Sequence, residues 1–333
     1  MERKLASIQR VESLEAIEGA DRIVKARVMG WDVVVKRDEF QPGDRCVFFE
    51  IDSLLPEGRE WAEFMRPRGF RVKTAKLRGV LSQGLALPLS VLSAERQDLA
   101  VGVEVSAELG VTKYEPVLPA GGAVAGPFPG AVPKTDEIRL QSALGVLQEI
   151  AGLDFYISVK CDGTSATFFK SEGALTVCSR NWALEKGPSA QWQLAERHQL
   201  LERLDDGIAL QAEICGPGIQ KNRLGLSQVE MFVFSVYDAK RGHFLPLQEM
   251  RERVQALGLQ TVPIERVVEG AEARAFSHQL EHYLELAKGT YAGTKNRREG
   301  IVIRPLVERH SPTLGGRLSF KVISNEFLLK DED

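Results

Sequence analysis

Residues 116–133 separate two strand-rich parts of the chain. The segment reads PVLPAGGAVAGPFPGAVP and is dense in glycine, alanine and proline. Such a composition offers little side-chain volume for a hydrophobic core and is typical of a linker. The chain of 333 residues is also long for a single core. We therefore predict a front domain over residues 1–112, a linker over residues 113–133 and a second domain over residues 134–333.

The overall composition excludes several classes of protein. No window approaches the run of about 18 apolar residues that a membrane helix needs, and the N-terminal MERKLASIQRVESLE lacks the apolar centre of a signal peptide. The four cysteines stand singly, without the CxxC spacing of zinc modules. A net charge of −3 argues against an extended non-specific nucleic-acid binder but allows a local basic groove. We expect a cytoplasmic protein with reduced thiols and no membrane segment.

The front domain is predicted to be a small β-barrel. The stretch DRIVKARVMGWDVVVKRDEF alternates apolar and charged residues, and several short strands separated by turns over roughly 110 residues favour a barrel. A basic run beside Phe70 forms a candidate nucleic-acid surface. Its residues are Arg71, Lys73, Lys76 and Arg78. A strand face that is only solvated explains the same run nearly as well.

The second domain mixes strands and helices, so we expect an α+β class. Two stretches, QSALGVLQEIAGL and SAQWQLAERHQLLERL, carry apolar residues at helical spacing, and Ser189 is the candidate N-cap of the second. Six stretches are strand candidates: FYISVK, GALTVCSR, IALQAEICG, EMFVFSVYD, GIVIRP and RLSFKVIS.

Lys160 stands at the end of the first of these strands, in the string VKCDG. A Lys-x-Asp-Gly string alone is a weak signal, because a solvated hairpin lysine gives the same pattern. Polar and aromatic residues near the ends of the later strands strengthen the signal. They are Arg180, Glu213, Phe232, Phe234, Glu299, Arg304 and Lys321. One binding site for a nucleotide can use all of them.

These strings, in this order, resemble the motifs of the covalent nucleotidyltransferase superfamily, which contains the polynucleotide ligases and the mRNA capping enzymes. KCDG is similar to motif I, SR to motif Ia, AEICG to motif III, FVFSVYD to motif IIIa, EGIVI to motif IV and SFKVI to motif V. The strings GPGIQKN and PKTDEIRLQ are closer to the RNA ligases that seal nicks. The front domain resembles tRNA-binding OB-fold modules, and its position before the catalytic domain resembles the Deinococcus-type branch of RNA ligases.

The resemblance implies a fold and a function. The fold is an N-terminal OB-fold β-barrel joined to a mixed-sheet nucleotidyltransferase domain. The function is that of an ATP-dependent RNA ligase that uses Mg²⁺ or Mn²⁺ and passes through lysyl-AMP and an adenylylated 5′ end. The implied partner is a nicked duplex of RNA or of an RNA–DNA hybrid, with RNA required on the 3′-hydroxyl side, and the implied state is a monomer.

The resemblance also assigns roles to the site residues. The residues assigned to the nucleotide are Lys160, Asp162, Gly163, Arg180, Glu213, Phe232, Phe234, Arg304 and Lys321. Lys160, Lys321 and Glu299 form the implied catalytic set, and Glu299 and Glu213 are the candidate metal ligands. Phe234, or Phe232 on the same strand face, is expected to stack on adenine.

A lysine must lose its proton before it can attack a phosphate, and a free lysine has a pKa of about 10.4. Burial and neighbouring positive charge lower such a pKa. We therefore expect Lys321 and a bound metal ion to lower the pKa of Lys160.

The chain departs from the family pattern at two places. Thr164 and Ser165 follow the motif I glycine, where many relatives place asparagine. Ser319 stands where motif V often has a second lysine. One phosphate-binding cation is therefore missing or comes from another part of the chain.

Two other functions stay open at this point. A DNA ligase or a capping enzyme shares the Lys-Asp-Gly core, but those enzymes usually carry an OB domain after motif V, where this sequence continues for 12 residues beyond Lys321. The other alternative is a tRNA-type OB nucleic-acid-binding protein with an inactive nucleotidyltransferase scaffold. Such a protein would never carry a covalent nucleotide.

Overall fold

A computed structural model describes residues 4–114 and 123–330. These residues form two compact units, one made of residues 4–114 with 328–330 and the other of residues 123–327. Each unit has hydrophobic cores of its own. No helix within the described ranges has the length and the apolar run that a membrane span requires.

The front unit is an antiparallel sheet of five strands with two small two-stranded sheets. Its strands are β1 (Ala6–Ala16), β2 (Ile23–Val28), β3 (Trp31–Lys36), β4 (Arg45–Phe49), β5 (Ser53–Leu54), β6 (Ala75–Leu77), β7 (Val80–Ser82), β8 (Leu85–Pro88) and β9 (Thr112–Lys113), and helix α1 spans Ser106–Leu109. The five-stranded sheet has the order β3-β2-β1-β4-β8, while β5 pairs with β9 and β6 with β7.

The alternating sequence pattern explains this sheet. Along β2, Val24, Ala26 and Val28 are buried, whereas the residues between them are partly exposed. Strand β1 pairs with β2 along one edge and with β4 along the other, and its register with β2 shifts between Val11 and Ser13. A shift of this kind bends a strand and helps a sheet to curl. The predicted OB-fold is confirmed.

The second unit contains most of the strands and helices. Its strands are β10 (Val124–Pro127), β11 (Ile138–Arg139), β12 (Phe155–Lys160), β13 (Thr164–Ser171), β14 (Ala174–Cys178), β15 (Trp182–Leu184), β16 (Ile208–Cys215), β17 (Glu230–Asp238), β18 (His243–Phe244), β19 (Gln260–Thr261), β20 (Ile264–Val268), β21 (Gly300–Pro305), β22 (His310–Ser311), β23 (Gly316–Arg317) and β24 (Phe320–Ile323). The helices that follow α1 are α2 (Val146–Ile150), α3 (Ala190–Arg197), α4 (Leu200–Arg203), α5 (Leu247–Ala256), α6 (Gly270–Ala275), α7 (Leu280–Leu286) and α8 (Asn325–Lys330).

Two main sheets organise this unit. The larger has the order β10-β15-β14-β13-β16-β17-β18, with β19 beside β17, and the smaller has the order β11-β24-β21-β12-β20. All six predicted strand stretches contain a strand of one of these sheets. The predicted mixed nucleotidyltransferase architecture is therefore confirmed. Because β12 and β13 follow each other in the chain but belong to different sheets, the loop after Lys160 crosses from one sheet to the other.

The predicted helix around residues 189–204 is present but broken. The Ser189 hydroxyl accepts a hydrogen bond from the Trp192 backbone N–H at 3.3 Å, so Ser189 is the N-cap of α3, as predicted. Gln199 adopts a left-handed conformation with φ of +53°, which ends one helix and starts α4.

The linker prediction is wrong for its second half. Of residues 113–133, residues 115–122 lie outside the described residues. Strand β10 pairs with β15 in the larger sheet, with a shift of register between Val124 and Gly126. Val132 is buried and packs with Phe128 and Phe169 in a small cluster. The few apolar side chains of this glycine- and proline-rich stretch suffice to anchor it because the neighbouring sheet supplies the rest of the core.

Candidate active site

Lys160 and Glu299 meet at the ends of two neighbouring strands. Strand β12 ends at Lys160, whose register partner on β21 is Gly300. Lys160 Nζ lies 2.7 Å from Glu299 Oε2, and the two side chains are only about one fifth exposed, at 22% and 19%. This is a charge-assisted hydrogen bond in a partly buried cleft. The antiparallel register therefore brings motif I and motif IV together, although 139 residues separate them.

Glycines allow the motif strands to approach closely. A Cβ added to Gly163 would lie 2.2 Å from the Ile214 carbonyl oxygen and 3.0 Å from Glu213 Cγ. A Cβ on Gly300 would lie 2.0 Å from the Val322 carbonyl oxygen. Any larger residue at either position would push the strands apart. Gly163 therefore allows motif I to pack directly against motif III, and Gly300 allows motif IV to pack directly against motif V.

Tyr291 joins the backbones of the same two strand ends. Its hydroxyl donates a hydrogen bond to the Lys160 carbonyl oxygen at 2.9 Å and accepts one from the Glu299 backbone N–H at 3.1 Å. The side chain is 4% exposed. Burial raises the pKa of this phenol above its ordinary value, so the hydroxyl keeps the proton that it donates to Lys160. Sequence reasoning missed this residue.

The charges of the pocket shift three pKa values. Burial opposes the charged form of Lys160, but the carboxylates of Glu299 and Glu213 outweigh it, so the pKa of Lys160 is raised. Burial, followed by repulsion from Lys160 and Arg139, lowers the pKa of Lys321 to about 7. Burial raises the pKa of Glu213 to about 7 against the attraction of Lys160. Lys160 therefore shares one electrostatic environment with Glu299, Glu213 and Lys321.

The predicted direction of the Lys160 shift is wrong for the ligand-free protein. Lys321 was expected to lower the pKa of Lys160, yet the pKa of Lys160 rises and that of Lys321 falls. The reason is the direct contact with Glu299, which favours the charged form of Lys160. Of the two amines, Lys321 is the one that is more easily deprotonated.

The structure distinguishes the two candidate adenine platforms. Phe232 is 9% exposed and packs with Cys161, Cys215 and Val262. Phe234 is only partly buried and lies at the place where the register between β16 and β17 shifts. Bulges next to active sites often re-aim a side chain. Phe234 is thus the more exposed of the two rings, although both belong to the same small cluster.

Arg304 is buried and contacts Phe234. Its guanidinium is 2% exposed and donates to Glu137 Oε1 at 2.7 Å, to Ser319 Oγ at 2.8 Å and to the Phe234 carbonyl oxygen at 2.5 Å. Its Cζ lies 5.6 Å from the centre of the Phe234 ring. These contacts do not favour the predicted phosphate contact of Arg304. Ser319 stands where motif V often has a lysine, and here its hydroxyl accepts a hydrogen bond from Arg304.

Arg180 and Asp162 lie close enough to Glu213 to influence its pKa. Arg180 pairs with Asp136, and both are partly exposed. Asp162 pairs with Arg223 at 3.0 Å, with both side chains about 15% exposed or less. Ser165, whose role was uncertain from sequence, is hydrogen-bonded to Thr135 at 2.7 Å. The segment before β12 therefore contributes directly to the site.

Arg139 is a second cation beside Lys321 that sequence reasoning did not assign. Strand β11 runs parallel to β24, with Arg139 in register with Lys321. The charge of Arg139 contributes to the lowered pKa of Lys321. The string PKTDEIRLQ was the available signal, since both Arg139 and Asp136 lie in it. Arg139 is the candidate for the cation that Ser319 does not supply.

Glu213 and Glu299 fit the divalent metal ion that the family uses. Glu299 contributes to the raised pKa of Glu213, so the two carboxylates feel each other's charge. Mg²⁺ is usually bound by one or two carboxylates together with substrate phosphates and water. Within residues 4–114 and 123–330, no three residues of the types His, Cys, Asp and Glu come together as a metal-binding group. The donor set therefore suits a cation shared with a phosphate ligand.

The four residues of the basic run in the front unit differ in their surroundings. Arg71 pairs with Asp52 at 2.7 Å, and its guanidinium lies 3.8 Å from the centre of the Tyr114 ring. Lys73, Lys76 and Arg78 are exposed. Arg71 thus makes contacts within this unit, whereas the other three cations face solvent around the β6–β7 hairpin.

Comparisons with known proteins agree with this geometry. One family profile, described as an OB-fold domain, matches residues 5–89, and another, described as RNA ligase, matches residues 153–323. A search of the curated proteins found no match.

Solved structures of an RNA ligase from Naegleria gruberi are similar to nearly the whole chain. The form with PPi has 34% sequence identity and a TM-score of 0.88, with 99% of each chain covered. A mutant with ATP and Mn has 34% identity and a TM-score of 0.87, with 99% of this chain and 100% of the other covered. A mutant with AMP and Mn has 34% identity and a TM-score of 0.85, with 98% of this chain and 99% of the other covered. Because the similarity extends over both units and includes the strands that carry Lys160 and Glu299, the chain belongs to the RNA ligase family.

Proposed function

We propose that this protein is an ATP-dependent RNA ligase that seals nicks between a 3′-hydroxyl and a 5′-phosphate in duplexes, by way of a lysyl-AMP intermediate at Lys160. The observation that carries the proposal is the contact of Lys160 Nζ with Glu299 at 2.7 Å, in a pocket that also holds Glu213 and Lys321. A nucleophile, two carboxylates and a second amine are the groups that phosphoryl transfer of this kind requires.

The ligands of the similar enzyme suggest which ligands this pocket takes. The Naegleria gruberi enzyme was solved with ATP and Mn, with AMP and Mn, and with PPi. In the present chain Phe234 would stack on adenine, which is worth about 1–3 kcal/mol for a base on an aromatic ring. Glu213 would hold the ribose, and Arg180 a ribose or phosphate oxygen. Lys321 and Arg139 would contact the phosphates as a pair of adjacent positive charges.

The first step transfers AMP to the enzyme. Lys160 begins protonated, because its pKa is raised, and it releases this proton to solvent once its contact with Glu299 is broken. The lone pair of the neutral Nζ then forms a bond to the α-phosphorus of ATP. The bond from that phosphorus to the pyrophosphate oxygen breaks, and its electron pair leaves with pyrophosphate. The nitrogen loses its second proton to the departing pyrophosphate, which leaves an uncharged nitrogen in a phosphoramidate whose phosphate oxygen keeps its negative charge.

Binding of ATP would change the charge balance at Lys160. The phosphates bring negative charge, and protonated Lys321 and Arg139 would bind it. A divalent cation held by Glu299 and Glu213 would supply positive charge that neutralises these carboxylates and screens the phosphates. Once Glu299 no longer favours the charged amine, burial and the neighbouring cations lower the pKa of Lys160.

Two further steps would complete sealing. AMP moves from Lys160 to the 5′-phosphate of the nick, and the 3′-hydroxyl then attacks this activated phosphate and releases AMP. We infer a requirement for RNA on the 3′-hydroxyl side, which a protein can read through the 2′-hydroxyl and the A-like shape of the duplex. The exposed cations Lys73, Lys76 and Arg78 are the candidate backbone contacts of the front domain. We further infer that the enzyme acts as a monomer in the cytoplasm, where its four buried cysteines stay reduced.

Two measurements test the proposal. Incubation with ATP and Mn²⁺, followed by intact-mass spectrometry and peptide mapping, is expected to show one AMP on Lys160. Sealing of matched nicked duplexes that differ only in ribose or deoxyribose on each side of the break gives the substrate preference. A nucleic-acid-binding protein with an inactive scaffold would bind the nick but never gain the mass of AMP, and that result would exclude a ligase.

A further inference from the structure

We infer that Tyr291 is a positioning residue for lysine adenylylation, and that its hydroxyl fixes the separation of Lys160 from Glu299. The inference rests on the proposed function, because it concerns the first step of that reaction. Tyr291 lies outside every motif string, in the loop between α7 and β21.

The hydroxyl extends the strand pairing beyond its regular end. The ladder between β12 and β21 finishes at the pair Lys160–Gly300. One residue further along the ladder, the Tyr291 hydroxyl bridges the Lys160 carbonyl oxygen and the Glu299 backbone N–H, at 2.9 Å and 3.1 Å. The phenol therefore takes the place of a direct backbone link and sets how far apart the two strand ends lie.

The loop that carries Tyr291 is itself held in place. The Tyr291 backbone N–H donates to the Asn296 carbonyl oxygen at 3.0 Å, and the Asn296 side chain donates to the Arg223 carbonyl oxygen at 2.8 Å. Arg223 in turn pairs with Asp162 of motif I. The hydroxyl is thus fixed from both sides, which is what a positioning residue needs.

The expected effect follows from the geometry of nucleophilic attack. Without the hydroxyl, the end of β12 and the start of β21 can move relative to each other. A displacement of about 1 Å can slow an enzymatic step by about 100-fold. ATP binding depends on other side chains, namely Phe234, Glu213, Lys321 and Arg139. We therefore expect Tyr291→Phe to slow lysyl-AMP formation at saturating ATP by about 10- to 100-fold, with the half-saturating ATP concentration unchanged within about threefold.

A comparison of two steps separates positioning from general damage. Sealing of a pre-adenylylated nick does not use the Lys160 amine as a reactant, so Tyr291→Phe is expected to retain this rate within about threefold. The matched control is Tyr283→Phe, because Tyr283 is also a buried tyrosine of this unit and its hydroxyl contacts His278 at 2.9 Å, away from the pocket. The control is expected to form lysyl-AMP at the wild-type rate.

Each outcome decides the matter. Wild-type adenylylation by Tyr291→Phe, an equal loss in both steps, or a loss expressed only in the ATP requirement would overturn the positioning role. If Tyr291→Phe does not fold, hydrogen exchange on the wild-type protein provides the test. The Glu299 amide is expected to exchange as slowly as the Ile301 amide within β21, and fast exchange at Glu299 would refute the link. If wild-type enzyme never forms an AMP adduct, the proposed function fails instead.

Discussion

Lys160 and Lys321 share one pocket, but their pKa values are shifted in opposite directions. Contact with Glu299 raises the pKa of Lys160, whereas burial and repulsion from Lys160 and Arg139 lower the pKa of Lys321 to about 7. The ligand-free site therefore holds Lys160, the proposed nucleophile, in the protonated, unreactive form. Activation has to come from ligands that change the charge around Glu299.

Replacing Lys160, the proposed nucleophile, is expected to separate the chemical steps. Lys160→Ala should form no AMP adduct and should still seal a nick whose 5′ end is already adenylylated, because that step needs no lysyl-AMP. The measurements are intact mass after incubation with ATP and gel-based sealing of the two kinds of nick. Lys186→Ala, which changes a lysine with a 71% exposed side chain in the same unit, is the control and should keep both activities. An adduct on the Lys160→Ala protein would place the nucleophile elsewhere.

Lys321 is expected to reduce stability in a pH-dependent way. Below pH 7 the folded and unfolded states both carry its charge, and the cost of burying that charge is fully present. As the pH rises from about 7 towards 10.4, the folded state loses the proton while the unfolded state keeps it, so unfolding takes up a proton and stability increases. Lys321→Met removes this effect. The stability of the variant relative to wild type should therefore fall by about 2 kcal/mol between pH 6 and pH 9.

Urea unfolding at the two pH values measures this difference. Lys186→Met is the control for the loss of an exposed lysine, and its stability difference from wild type should not depend on pH. A Lys321→Met difference that is equally independent of pH would mean that Lys321 keeps an ordinary pKa in the folded protein. The same variant is expected to lose most of its adenylylation activity, because it lacks a phosphate-binding charge.

Phe234→Ala is expected to weaken ATP binding. The loss of one base–aromatic stack costs about 1–3 kcal/mol, so the half-saturating ATP concentration should rise by about 5- to 150-fold, with a smaller change in the maximal rate. Titration of lysyl-AMP formation with ATP measures both values. Phe232→Leu keeps an apolar side chain in the core and should bind ATP nearly normally. A reversed result for the two variants would assign the adenine platform to Phe232.

The front unit is expected to contribute phosphate contacts. Changing Lys73, Lys76 and Arg78 together to alanine should leave lysyl-AMP formation intact and weaken binding to a nicked duplex. Each lost phosphate contact lowers the slope of log affinity against log salt by about 0.9, so the slope should fall by up to about 3. Binding measured over a series of salt concentrations gives this slope. The exposed residues Arg22 and Lys36 provide a control pair, and an equal loss of slope for that pair would show that the effect is only one of net charge.

Sequence alone determined the elements that depend on local pattern. The alternation in the front domain was sufficient to predict a small β-barrel, and the strand and helix stretches of the second domain an α+β class, because strand burial follows a period of two residues. The OB-fold and the nucleotidyltransferase fold were implied by the resemblance of the motif strings. Lys160 and Glu299 each lie at the end of a recognisable strand, and the resemblance of the ordered motif strings assigned their roles. The linker was predicted too long because residues 124–132 contain few apolar side chains of their own, and only the β15 edge shows that they complete a sheet.

Tertiary structure alone decided how the site works. Which lysine keeps its proton depends on a 2.7 Å contact between strands that lie far apart in the sequence, and Coulomb energy depends on that distance and on burial rather than on sequence order. The same is true of Tyr291, which lies in no motif and reaches Lys160 only because a loop folds over the ends of β12 and β21. For Arg304 the motif predicted a phosphate contact, which stays a prediction, and only the structure shows that its guanidinium donates to Glu137 and to the Phe234 carbonyl oxygen. The residue types of the site are set by local sequence, whereas their charges and partners are set by packing between distant segments.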